Sequence, residues 1–237
     1  MIDDLNRFSF QSSRFKIEET HGRKLIHKET EINSLLAPSS QVLFGLIGSY
    51  QQEIQRCGIP LPQVLSSTSH PEKFLFVCAY EGPNVLQLLE GKPTAELLGQ
   101  KEILNQVLDI LKLAQGGNLY FDPHIKNFVF NGSQVFYVDF TPPWGKGYFD
   151  LRLSVAQPFE REILEPFFDC MRPETLGYHF AADFMKMSRA YLSIIPELYE
   201  RMKEKNLVTG TYDHFLKIAD SIMQRELKRE REKVFLI

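Results

Sequence analysis

The stretch "GGNLYFDPHIKNFVFNGSQVFYVDFTPP", Gly116 to Pro143, sets two short runs of large apolar residues among two aspartates, an asparagine, a lysine and a histidine. The runs "NFVF" and "QVFYVDF" read as strands, and the Asn-Gly-Ser between them is the turn chemistry that closes a tight hairpin. Asp122, Asn127 and Asp139 stand at the ends of these runs. Taken singly, each is a turn or cap residue. Taken together, at the rim of one hairpin, they form a candidate site.

Upstream, "TAELLGQKEILNQVLDILKLAQGG" carries Leu97, Leu98, Ile103, Leu104, Val107, Leu108 and Leu111 at helical spacing, and Gly116-Gly117 ends it. Before it, "EGPN" is a turn signal, and "KFLFVCAY", following the prolines of "GIPLPQV", reads as a buried strand. "SSQVLFGLIGSYQQEIQRCG" is a helix, opened by serines and stopped at Gly58. "RFKIEE" and "RKLIHKE" alternate and flank a tip at Thr20 to Gly22, which predicts a hairpin. From Trp144 onward the pattern is helical. The boundary between two lobes of one unit falls at the "EGPN" turn, giving a small lobe over residues 1–80 and a larger one over 81–237.

Composition narrows the functions. With 27 basic and 30 acidic side chains and a net charge of −3, the chain offers no general attraction for nucleic acid or an anionic membrane. Three widely spaced cysteines match neither a disulfide framework nor paired zinc ligands. No apolar stretch reaches the roughly 18 residues of a membrane span, and "MIDDLNRFSF" lacks the pattern of a signal peptide. The expectation is a folded cytoplasmic protein.

The order of hairpin, helix, strand, turn, long helix, polar loop, small hairpin and helices is that of the protein-kinase-like fold, an α+β architecture with a mainly antiparallel N-lobe and a mostly helical C-lobe. "FDPHIKNFVF" resembles the catalytic loop of aminoglycoside and choline kinase-type phosphotransferases, in which an aspartate is followed five positions later by an asparagine. "YVDF" is similar to the metal-binding aspartate that ends the next hairpin in those families. The resemblance implies a nucleotide- and magnesium-dependent transfer of phosphate from ATP or GTP to a hydroxyl of a sugar, aminocyclitol or alcohol. It makes Asp122 the catalytic base and Asn127 and Asp139 the Mg2+ ligands, hard oxygen donors suited to that ion. Lys126 either reaches the transferring phosphate or faces solvent, and His124 ties the loop down.

On the N-terminal side, "LIHK" resembles the strand bearing the phosphate-holding lysine, which implies Lys28, with Lys24 its rival. Glu53 is the acidic residue available on the following helix to position it, although it lies late. No Gly-x-Gly-x-x-Gly loop is present, so Ser12 and Ser13 of "FSFQSSRFK" stand where the phosphates would be covered. Tyr80, beside the interlobe turn, is a candidate wall of the adenine pocket. Trp144, Asp169, Tyr178 and Asp183 are candidates for the acceptor side, and Asp150 for bracing the catalytic loop. "QRELKREREK" reads as a solvated helix with internal ion pairs. Tyr120 holds the place of a histidine usual in the resembling families, and "FTPPWGKG" replaces a mobile activation segment. A noncatalytic nucleotide- or partner-binding protein of the same fold is the alternative.

Overall fold

In the computed structural model, which describes residues 13–20, 22–31, 40–71, 73–90, 101–187 and 189–232, the predicted hairpin forms from β1 (Ser13–Thr20) and β2 (Arg23–Glu31). β2 pairs on its other edge with β4 (Lys73–Ala79), and β4 with β3 (Val64–His70), giving an antiparallel sheet of order β1-β2-β4-β3. β3 is a departure from the sequence reading, which passes from the prolines directly to β4. All of its residues are exposed, so "VLSSTSH" at the sheet edge lacks the apolar alternation that marks a half-buried strand.

The register decides what β2 contributes. Ile26 lies opposite Cys78, Lys28 opposite Phe76 and Thr30 opposite Phe74, and directly paired residues share a face of the sheet. Phe74, Phe76, Cys78, Lys28 and Thr30 are all buried, so Lys28 is a cation on the inner face. Helix α1 (Ser40–Arg56) covers that face with Leu43, Ile47, Tyr50 and Ile54, spaced as one helical stripe, and Phe44 packs on both Phe74 and Phe76.

The chain leaves β4 through Tyr80 to Asn84 and enters the short helix α2 (Val85–Leu89), capped reciprocally by Asn84 and Gln87. Gly82, at φ +101°, sits so close to β5 that a Cβ there would lie 2.1 Å from the Phe130 carbonyl oxygen. The Phe130 N–H donates to the Pro83 carbonyl at 3.0 Å, and Asn84 bridges to Val129. The turn between the two halves is therefore stitched by backbone to the predicted small hairpin.

That hairpin is β5 (Phe128–Phe130) and β6 (Val135–Tyr137), preceded by a 3-10 turn at Ile125–Asn127. Asn131 closes it, its side-chain oxygen accepting from the backbone N–H groups of Ser133 and Gln134. Helix α3 (Lys101–Gly116) runs beneath with Val107, Leu108 and Leu111 buried, while the part of its predicted span before Lys101 lies outside the described residues. The rest is helical: α4 (Lys146–Val155), α5 (Pro158–Asp169), α6 (Leu176–Met187), α7 (Arg189–Leu192), α8 (Ile195–Glu204) and α9 (Tyr212–Arg231). α9 packs on α5 and α6, and one continuous apolar core runs from α1 through α9. The architecture is α+β, an antiparallel sheet followed by a helical C-terminal part. Among the described residues no helix is long and apolar enough to cross a membrane.

Candidate functional site

Lys28 is the residue through which the sheet meets the small hairpin. Its ammonium, buried under Phe15 and Phe140, donates to Asp139 Oδ1 at 3.1 Å and to the Thr141 carbonyl at 3.4 Å. A lysine on an apolar sheet face needs such partners, because an unpaired buried charge is far costlier than a paired one. The rival Lys24 lies at the tip end of the same strand and is exposed.

Asp139 lies two residues past the end of β6, and Asn127 ends the 3-10 turn before β5, so hairpin pairing brings them together across 12 positions of sequence. The Asn127 amide is 3.5 Å from Asp139 Oδ2 and 3.4 Å from the Asp122 carbonyl. Burial pushes the Asp139 carboxyl up; the Lys28 ammonium opposes this and the nearby Asp122 carboxylate adds to it, leaving it above its ordinary value.

Asp122 is buried at the start of the loop, its Oδ1 accepting from the His124 backbone N–H at 3.2 Å and contacting His124 Nδ1. Burial would raise its pKa, but the His124 cation outweighs that and holds the carboxyl below the usual carboxylate range. Lys126 is half-buried; desolvation pulls its ammonium pKa down against the attraction of Asp122, Asp183 and Asp139. Asp122, Lys126, Asn127, Asp139 and Lys28 thus share one cluster between the sheet and the helical part.

Other expected residues fall elsewhere. Glu53 is exposed and off the Leu43–Ile47–Tyr50–Ile54 stripe, and among the described residues the ion-pair partner of Lys28 is Asp139, so Glu53 does not position Lys28. The helix presents Tyr50 to the site instead, its hydroxyl donating to the Tyr120 carbonyl at 2.9 Å. Ser13 begins β1 opposite Thr30, and Ser12 lies outside the described residues. Tyr80 is half-buried where the turn begins, its N–H donating to the Lys24 carbonyl at 3.1 Å. Asp150 is exposed and paired with Lys146 at 2.6 Å, so it does not brace the loop. Trp144 is in the core, Asp169 pairs with Arg172 at 2.7 Å on the surface, and Tyr178 donates to the Thr209 carbonyl.

The loop is braced from α6 and α9. Asp183 Oδ2 accepts from the Ile125 N–H at 2.8 Å. Glu226, fully buried, has Oε1 2.9 Å from His124 Nε2 and in contact with His179 Nε2, while Lys186 donates to its Oε2 at 2.9 Å. The run "QRELKREREK" is therefore not wholly solvated: Glu226 and Arg229 face inward. Burial disfavours the His124 cation, but Asp122, Glu226 and Asp183 outweigh it and move its pKa up to about 10. The sequence signal for this brace is weak. His179 and Asp183 are polar residues one helical turn apart in the otherwise apolar "YHFAADF".

No protein-family model matches the chain, and no curated protein matches it at a significant level.

Proposed function

We propose that the chain is a phosphotransferase of protein-kinase-like fold, transferring the terminal phosphate of ATP or GTP to a hydroxyl of a small molecule. The observation that carries this reading is the Lys28–Asp139 ion pair across two separate sheets, with Asn127 and Asp122 beside it. A lysine and a carboxylate so placed serve the two halves of a nucleotide phosphate site, one neutralising phosphate oxygens and the other holding a cation. The Asn127 amide and the Asp139 carboxylate are hard oxygen donors, which fits Mg2+. That ion, when bound with nucleotide, neutralises charge on the phosphate oxygens.

Asp122 supplies the base. Its Oδ1 is committed to His124, and Oδ2 is the oxygen left to accept the proton of an acceptor hydroxyl and to align it. Held ionised beside His124, the carboxylate is ready at neutral pH. Lys126, close to Asp122 and Asp139, is placed for the transferring phosphate.

One observation favours the noncatalytic alternative, a nucleotide- or partner-binding protein: no acidic residue of α1 pairs with Lys28 among the described residues. Asp122→Asn separates the two readings. The phosphotransferase reading predicts that this change keeps Mg-nucleotide binding and lowers nucleoside diphosphate release by about 10²–10⁴-fold. Because the carboxylate is buried against His124, it also costs about 1–3 kcal/mol of stability. Equal release by both proteins, above background, removes Asp122 from the chemistry. No release by wild type across a panel of hydroxylated metabolites supports the binding protein.

A further inference from the structure

We propose that His124, His179 and Glu226 form a binding site for one divalent transition-metal ion, zinc by donor preference, sealed beneath the Asp122–Asn127 loop. Their ligand atoms lie within 4.8 Å of one another, and all three residues are buried. The donors come from three elements, the loop, α6 and α9, so an ion here ties the last helix to the loop.

The orientation of the rings is the second observation. A metal-bound histidine almost always gives its other ring N–H to a carboxylate or a backbone carbonyl, which fixes the tautomer and leaves the lone pair for the metal. Both rings have that arrangement: His124 Nδ1 contacts Asp122 Oδ1, and His179 Nδ1 lies 3.0 Å from the Cys170 carbonyl. Both Nε2 atoms then converge on the same oxygen, Glu226 Oε1. The other oxygen, Oε2, is held by Lys186, which also reaches Glu230 at 3.2 Å, so the carboxylate is oriented to bind through Oε1 alone. Asp183 Oδ1, 3.9 Å from His124 Nε2, is a further oxygen at the edge of the group.

The imidazole donors separate this site from the all-oxygen pair Asn127 and Asp139, and the proposal does not depend on nucleotide binding.

The test uses the full chain, stripped with chelator, incubated with zinc or cobalt, and passed through a desalting column. Wild type is expected to retain about one zinc per chain by elemental analysis, to melt higher with zinc than after chelation, and to give a cobalt spectrum of nitrogen and oxygen ligation without thiolate charge transfer. His179→Gln, remote from Asp122, is expected to lose at least nine-tenths of the retained zinc. Should that variant not fold, the wild-type retention and cobalt spectrum decide. The proposal is overturned by wild type retaining only background metal with an unchanged melting temperature, by thiolate charge transfer, or by His179→Gln retaining a full equivalent.

Discussion

Two polar clusters meet at the bonded pair Asp122 and His124, and water treats them differently. On one side Lys28, Asp139, Asn127 and Lys126 gather between the sheet and the small hairpin, where the Asp139 side chain keeps 14% of its surface exposed. On the other, His179 and Glu226 are fully buried and His124 nearly so. The first cluster has an outlet to solvent; the second pairs its groups with one another out of reach of water. One loop is thereby both open to solvent and rigid. Its open side keeps polar groups near solvent, and its closed side holds the backbone that carries them.

The largest expected effect lies on the closed side. Removing the Glu226 carboxylate leaves the buried His124 and His179 and the half-buried Lys186 without their shared partner, and breaking a buried charge network of this kind costs about 3–5 kcal/mol. Glu226→Ala should therefore shift the denaturant midpoint strongly. Asp150→Ala, which removes an exposed pair with Lys146, should stay within about 0.5 kcal/mol of wild type. Similar midpoints for the two variants would erase the distinction between the clusters.

A smaller effect is expected on the open side. Lys28→Ala leaves Asp139 part-buried without its ammonium, at a cost of about 1–3 kcal/mol, and on the proposed function abolishes measurable nucleotide affinity. Lys24→Ala, at the exposed strand end, should change neither quantity. A nucleotide titration in which both variants bind like wild type would detach the sheet from the site.

The smallest effect tests the seam. Tyr50→Phe removes the hydroxyl that donates to the Tyr120 carbonyl, worth about 0.5–1.5 kcal/mol by thermal or chemical denaturation. An unchanged stability would mean that α1 is held to the loop by apolar packing alone.

The open side was legible in the sequence because its residues obey local rules. Asp122, Asn127 and Asp139 punctuate short apolar runs, and strand alternation together with the hairpin tip places Lys28 on one face of β2. The closed side was not, because burial of a charged residue is a tertiary fact. Glu226 sits in a run of alternating charges that is equally compatible with a solvated helix, and only the docking of α9 on α5 and α6 turns it inward. Glu53 and Asp150 failed for a related reason: helical position around the axis, not distance along the chain, decides which acidic residue reaches a site. β3 was missed because an exposed edge strand lacks the apolar face by which strands are read.

On the proposed function the open cluster binds a nucleotide together with a divalent cation, and Asp139 is the residue that probes it. In thermal melts of wild type with ATP or GTP, magnesium should raise the melting temperature beyond nucleotide alone, since a ligand at about 100 times its dissociation constant stabilises the native state by about 2.7 kcal/mol. Asp139→Asn keeps the side-chain volume, removes the charge, and should abolish the magnesium-dependent part of that rise. A wild-type protein that melts identically with and without either nucleotide, whatever the magnesium concentration, would contradict the account.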